Sequence, residues 1–499
     1  MGVAPRASFA AVDLGADSGR VIEGALSHDR LTLTDIHRFP NGPVTLPEGL
    51  RWDVLALWSE ISTGLRQAAG RRSTTGSELR AIAVDTWGVD FALLDQNGML
   101  LGNPAHYRDE RTDGMLEEAC RVLSRERIYR TTGTQLLEIN TLYQLLSLVR
   151  RPGGLDGASR MLMMPDLFNF WLTGKTATEL SIATTTQCLD LESRGWAMPL
   201  LAELGIPAGI FGEIVPAGRV LGPVAGSFGR EADLGRVAVV ACGSHDTASA
   251  AAAVPATDQD FAWLSSGTWS IMGIESPSPI VNEVTMRHDL SNEAGVAGRW
   301  LLLRTMPGMW LVQECRRTWA RQGQQHSYED LTRLAEEALP FGSLVDPEAP
   351  ELQKPGDMPA QIRDLCRRTG QPVPETTGAV VRCAYESLAL QYRRALGRLE
   401  ASAGHRLGRI HIVGGGSQSE LLCQLTADAT GRQCLAGPVE ATAIGSVLVQ
   451  AIAVGELGSL EDGREIVRQS FPIRNYEPVM ASQWDDSFGR FMEMTHASN

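Results

Sequence analysis

The sequence predicts an α/β protein of two domains, and three features carry that expectation. Val237 to Ala241 is a short apolar, β-branched run; Gly243 and Ser244 break it, and an Ala-rich helical stretch follows from Thr247 to Ala253. Two stretches read as strand, polar turn, strand: Asp13-Leu-Gly-Ala-Asp-Ser-Gly-Arg20 and Ser265-Ser-Gly-Thr-Trp-Ser270. Each opens about half of the chain, the pattern of an internal duplication. The length, 499 residues, also exceeds what one ordinary core serves. A polar break at Pro255–Asp260 is the candidate boundary, with expected domains 1–253 and 254–499.

Taken in order, Phe9–Val12 and Val21–Leu26 flank the first polar turn as a hairpin, and Leu31–Phe39 is a further strand. Trp52–Ala69 has helical spacing through Val54, Leu57, Trp58, Ile61 and Leu65. Leu79–Leu94 reads as two strands interrupted at Asp85–Gly88 by polar groups and one indole, a sugar-facing corner or a buried structural turn. Helices are expected at Gly114–Leu123, Thr141–Val149 and Met161–Leu172, the last capped by Gly174. Gly174-Lys-Thr176 resembles the end of a phosphate-binding loop, but Asn169 stands where that motif needs Gly, and the triplet follows a helix. Phe261–Leu264 and Ile271–Ile274 flank the second polar turn; Gly342–Glu375 reads as surface loop around a short helix; Ala379–Leu399 is helical. Ile410–Val413 is a strand that meets three glycines, 414–416, before a helix over 420–430. That junction offers helix-start N–H groups to a phosphate, or close backbone approach to a flat ring. Gly437–Gly445 enters a small-residue helix suited to tight packing.

Composition excludes several classes. A net charge of -14 leaves no basic excess to neutralise a nucleic acid or an anionic membrane surface, although backbone N–H groups and a metal still suffice for a nucleotide. No run approaches 18 apolar residues, and Met1–Ser8 has no apolar signal segment. The eight cysteines are scattered without C-x-x-C, which reads as reduced thiols of a cytoplasmic protein and no zinc cluster.

Chemistry concentrates in two places. Asp246 lies where a strand ends and a helix begins, the crevice position of ligand sites in α/β sheets. It is either a helix cap, a role Ser244 could equally fill, or a catalytic carboxylate, and its polar neighbours His245 and Thr247 favour the second. The Asp13–Arg20 turn combines N–H groups, hydroxyls and a carboxylate, as phosphate plus Mg²⁺ requires, or it is a plain hairpin.

Several short stretches, in this order, resemble one family: Asp13–Arg20, Asp85-Thr-Trp-Gly-Val-Asp-Phe91, Tyr107-Arg-Asp109, Asn140-Thr-Leu-Tyr-Gln-Leu145, Ala183-Thr-Thr-Thr-Gln187, Ser244-His-Asp-Thr247, Leu264–Ser270 and His411–Gly416. With the small-residue helix after Glu440, they run from near residue 11 to about residue 445. The chain is thereby identified as similar to the FGGY carbohydrate kinases of the actin, sugar-kinase and heat-shock ATPase superfamily. The resemblance implies two ribonuclease-H-like (actin-type ATPase) domains around a central cleft. Within the family the pattern is most similar to members that phosphorylate L-rhamnulose with ATP. Another ketose or polyol such as L-fuculose, xylulose or ribulose is the alternative substrate, and a non-kinase ATPase or binding protein the alternative class. By the same resemblance, Ala16, Asp17, Ser18, Gly19, Arg20, Thr268, Gln313 and Gly415 contact ATP, and Asp13 holds Mg²⁺. Gly88, His245, Asp246 and Thr247 contact the sugar, and Asp246 accepts its proton. Thr305, before Met306-Pro-Gly-Met-Trp310, stands where a sugar-contacting Asn is expected. Cys366 and Cys383 match cysteines that can pair in a relative, reduced thiols being the default here. The expected partners are a ketose and ATP, with no nucleic acid or membrane, in a monomer or homodimer.

Overall fold

The structure is a computed structural model, describing residues 7–71, 78–479 and 481–497. Met1–Arg6, part of the stretch read as free of a signal segment, lie outside the described residues. By compactness the chain divides into two units. The first comprises residues 1–255, 275–302 and 441–471; the second comprises 256–274, 303–440 and 472–499.

A six-stranded sheet organises the first unit. Its strands are β1 (Ala7–Leu14), β2 (Ser18–Leu26), β3 (Leu31–Pro40), β4 (Leu79–Thr86), β5 (Arg219–Pro223) and β6 (Ala238–Ala241), in the order β5-β6-β4-β1-β2-β3. β1 is buried along its whole length, which suits its alanines and valine between strands on both sides. The apolar stripe of α1 (Val54–Gly70) covers one face through Val54, Leu57, Ile61 and Leu65.

One expectation needs correction. Met161–Leu172 is not all helix: Arg160–Met163 pairs as a strand with Phe91–Leu94, and α2 (Met164–Thr173) begins only there. The reason is Pro165, which is suited to a first helical turn and keeps the preceding chain extended. At the other end Gly174 caps the helix at φ 73°, as its sequence position implied. Two short helices complete the frame of the site, α3 (Leu180–Thr184) and α4 (Asp246–Ala252).

A second sheet has seven strands: β7 (Phe261–Ser266), β8 (Trp269–Ser276), β9 (Ser291–Ala294), β10 (Trp300–Pro307), β11 (Arg409–Val413), β12 (Gln433–Ala436) and β13 (Arg474–Tyr476). Their order is β9-β10-β8-β7-β11-β12-β13. Read from β13, it repeats the first sheet: an antiparallel edge strand, two parallel neighbours, then a hairpin. The duplication expected from two polar turns is thus present as topology. α5 (Trp310–Arg321), α6 (Thr377–Ala403) and α7 (Glu420–Thr430) belong to this second unit, and α8 (Ala441–Ala453) to the first. All eight cysteines carry free thiols, Cys366 and Cys383 included.

Candidate active site

In the first unit the carboxyl ends of β1, β4 and β6 meet. Trp87 N–H donates to Leu14 C=O at 3.2 Å and Thr86 N–H donates to Ser244 C=O at 2.9 Å, so three sheet ends share one backbone seam. Side chains projecting there form the site. Asp13, only 4% exposed, accepts from Arg20 Nε at 2.9 Å and Nη2 at 2.6 Å. The hairpin places those two residues as direct cross-strand partners. Its turn is tied by Gly15 N–H to Ser18 C=O and by Asn41 Nδ2 to Gly15 C=O, which leaves Asp17 and Ser18 exposed, with Ala16 and Arg20 partly so.

Asp246 is not a helix cap. α4 starts at Asp246 itself, with His245 in the capping position and no side-chain cap bond. The turn before it is held by other groups: Glu179 accepts from Ser244 N–H at 3.1 Å, and Ser181 Oγ accepts from His245 N–H at 3.1 Å. The carboxylate of Asp246 is therefore released from capping. It accepts from Thr247 Oγ1 at 3.1 Å, lies 3.3 Å from His245 Nε2 and keeps 34% of its side chain exposed. Burial of its remainder pushes the Asp246 carboxyl up, the His245 charge opposes this, and Asp13 adds to it.

At the Asp85–Gly88 interruption the structure shows the buried structural turn, continued through Asp90. Asp90 is structural: its carboxylate accepts from the indoles of Trp52 (2.6 Å) and Trp87 (3.0 Å) and from Gln144 (3.0 Å). Burial nevertheless raises it to about 6. The bend itself needs Val89 at φ 68°, stabilised by its N–H donating to Thr185 Oγ1 at 3.1 Å. Gly88 packs against that same threonine, where a Cβ would sit 3.2 Å from it.

Asp85 is different. It is fully buried, and neither carboxylate oxygen has a hydrogen-bond partner among the described residues. β1 and β4 place it beside Asp13 as a parallel register partner, so the two side chains share a face. Burial first, then the charges of Asp13 and Asp246, push its carboxyl well above the ordinary range, against weaker opposition from the Ser446 hydroxyl and Arg20. An orphaned buried carboxylate beside Asp13 fits a divalent cation. Among the described residues no three His, Cys, Asp or Glu side chains converge as a complete metal cage. A nucleotide-borne cation needs only one or two protein carboxylates, with phosphates and water supplying the rest. Asp85→Asn is therefore expected to raise the melting temperature of the protein without nucleotide, since it removes an unpartnered buried acid. It should also raise the cation concentration needed for half-maximal activity several-fold. A lowered melting temperature would mean that Asp85 is structural.

The second unit gathers its own set. Thr268 C=O accepts from Gly308 N–H (3.1 Å) and Trp310 N–H (3.2 Å), fastening the second polar turn to the start of α5. Gly308 is required there: a Cβ would lie 2.5 Å from Ser270 Oγ and 2.7 Å from Gly267 C=O. One turn along α5, Gln313 Oε1 is buried without a partner among the described residues. At the end of β11, Gly414 adopts φ 82° and Gly416 would bring a Cβ within 2.0 Å of Ser266 Oγ, while Gly415 faces open space. Thr305, partly buried on β10, also belongs to this unit, whereas Gly88, His245, Asp246 and Thr247 belong to the first.

Sequence reasoning assigned no role to Glu293 or Glu179. Glu293 lies 2.8 Å from His245 Nδ1, and Glu179, raised to about 7 by burial, orders the Ser244 turn. Neither sits in a recognisable pattern, because each acts through a residue far away in the chain.

Residues 9–253 match the N-terminal domain of the FGGY family of carbohydrate kinases, and residues 262–454 its C-terminal domain. The chain belongs to this family. It is 41% identical to the rhamnulokinase of Bacteroides thetaiotaomicron over 485 residues, 97% of this chain and 98% of that protein. With the rhamnulokinase of Pectobacterium carotovorum it shares 40% over 494 residues, 98% of this chain and 96% of that one. Among solved structures, the fold matches a xylulose kinase of Lactobacillus acidophilus with a TM-score of 0.81 at 16% identity, covering 98% of both chains. It matches Plasmodium falciparum glycerol kinase with ADP at 0.79 and 15% identity, covering 100% of this chain and 98% of that one. As an FGGY kinase the chain uses ATP to phosphorylate an alcohol group of a sugar. Among the described residues no helix is long and apolar enough to cross a membrane.

Proposed function

We propose that this kinase converts L-rhamnulose and ATP into L-rhamnulose 1-phosphate and ADP, in the cytoplasm, with Mg²⁺ as its cation. The substrate reading rests on the rhamnulokinase relatives, which align over nearly the whole chain. The mechanistic reading rests on one observation: Asp246 is a carboxylate freed from helix capping and open to solvent among polar neighbours.

Asp246 orients the sugar hydroxyl and accepts its proton as the new P–O bond forms. His245, Thr247 and Gly88 hold the ketose, with Thr305 a further contact. Ala16 to Arg20, Thr268, Gln313 and Gly415 take the nucleotide, the orphaned Gln313 amide oxygen gaining a partner in doing so. Asp13 and Asp85 would hold the ATP-borne Mg²⁺, which offsets charge on the phosphoryl group. The protein's share of such a loose transfer is alignment and charge neutralisation. Free thiols throughout fit the reducing cytoplasm.

An ADP-release assay over L-rhamnulose, L-fuculose, D-xylulose, L-ribulose and glycerol tests the substrate. L-rhamnulose is expected to give the highest kcat/KM. A tenfold advantage for any other, about 1.4 kcal/mol, overturns the assignment.

A further inference from the structure

The ring of His245 stands between two carboxylates. Its Nδ1 is 2.8 Å from Glu293 Oε2 and its Nε2 is 3.3 Å from Asp246 Oδ1, with Thr247 Oγ1 3.5 Å from the same nitrogen. Glu293 is 6% exposed, so its negative charge has left water and needs a partner.

Its strand, β9, is pinned on every side. Ser291 Oγ accepts from Gln135 N–H at 2.9 Å, Asn292 Oδ1 accepts from Ile280 N–H at 2.6 Å, and Ala294 N–H donates to Thr184 Oγ1 at 3.1 Å. A carboxylate on so constrained a segment cannot follow the histidine about; it dictates where the ring points. Ordinary packing of β9 does not call for an acid at this position, since the strand is buried throughout.

We propose that Glu293 is a positioning residue for phosphoryl transfer: by fixing the His245 ring through Nδ1, it sets where Nε2 stands against the Asp246 carboxylate. The proposal rests on Asp246 being the proton acceptor. With both ring nitrogens facing carboxylates, the imidazolium is the form the pocket favours: Nδ1–H donates to Glu293, and the charge lies 3.3 Å from Asp246. Burial alone would lower the His245 pKa, but Glu293, Asp246 and the more distant Glu179 together hold it up at about 9. Facing Asp246 are His245, which favours its ionised form, and Asp13, whose charge opposes it.

The sign of the pH dependence follows. Removing the Glu293 charge lowers the His245 pKa, so the imidazolium is lost at a lower pH than about 9. An imidazolium still present on the acid side keeps favouring the Asp246 carboxylate, so the shift is confined to the alkaline limb.

The test compares wild type, Glu293→Gln, Glu293→Asp and Asp246→Asn by pH profiles of kcat/KM for the ketose, alongside KM for ATP and melting temperature. Glu293→Gln is expected to lose tenfold or more at its optimum. Its alkaline limb should move down while its acid limb stays, with KM for ATP unchanged. Glu293→Asp keeps the charge on a shorter stem and should retain the wild-type limbs with a lower plateau. A Glu293→Gln profile with wild-type limbs, whether its plateau falls or not, overturns the proposal. An Asp246→Asn enzyme that stays active overturns instead the proton-acceptor reading on which it rests. If Glu293→Gln does not fold, the Glu293→Asp profile decides: a narrowed bell despite the retained charge refutes the electrostatic role, and unmoved limbs support it.

Discussion

Asp246→Asn is expected to lower kcat by ~10²-fold or more while leaving KM for ATP, and most of the ketose affinity, as in wild type. Asparagine keeps the shape of the side chain and its bond from Thr247 Oγ1, so the start of α4 should not move. What it lacks is a place for the proton of the sugar hydroxyl. Without an acceptor, the attacking oxygen carries that proton deep into the transition state, and the barrier rises. The loss should appear in kcat rather than KM because the hydroxyl still finds a polar partner in the ground state. Steady-state kinetics at saturating ATP measure it directly; a variant within threefold of wild type removes Asp246 from the mechanism.

That carboxylate could be found in the sequence because the signal was local. A β-branched run, a glycine break and an alanine-rich stretch lie within about fifteen residues, and Asp246 falls at their junction. The same holds for the Asp13 turn and the 414–416 glycines, whose neighbours in the chain are also their neighbours in space. What the sequence did not disclose is coupling between distant segments. Asp85 could be seen as a polar interruption, but not as an orphan beside Asp13, which depends on the β1–β4 register. Glu293 reaches His245 across 48 residues, and Glu179 reaches Ser244 across 65. The capping alternative for Asp246 could be settled only once Glu179 and Ser181 were seen to hold the preceding turn. The start of α2 was missed for another reason: helical spacing continued through Met161–Met163, and the marker at Pro165 was outweighed by that pattern.

The second large effect concerns the support beneath α4 rather than the chemistry above it. Gly445 lies on α8 where that helix crosses α4, and a Cβ there would sit 1.8 Å from the backbone oxygen of Ser249 and 2.6 Å from its carbonyl carbon. No rotamer relieves this contact, because both partners are main chain. Gly445→Ala must therefore push the two helices apart. Overpacking of this kind costs about 3 kcal/mol, which in a chain of this size corresponds to a melting temperature lower by roughly 3–5 °C. The displacement acts on α4, whose first residues are Asp246 and Thr247, so kcat for the ketose should also fall by about tenfold or more. Gly397 supplies the control. It too lies inside a helix, α6, but a Cβ there meets nothing within 4 Å. Gly397→Ala is expected to stabilise the protein by about 0.5–1 kcal/mol through helix propensity alone. Calorimetry of both variants distinguishes the cases: if Gly445→Ala melts with wild type or above it, α4 and α8 are not in the close contact that places Asp246.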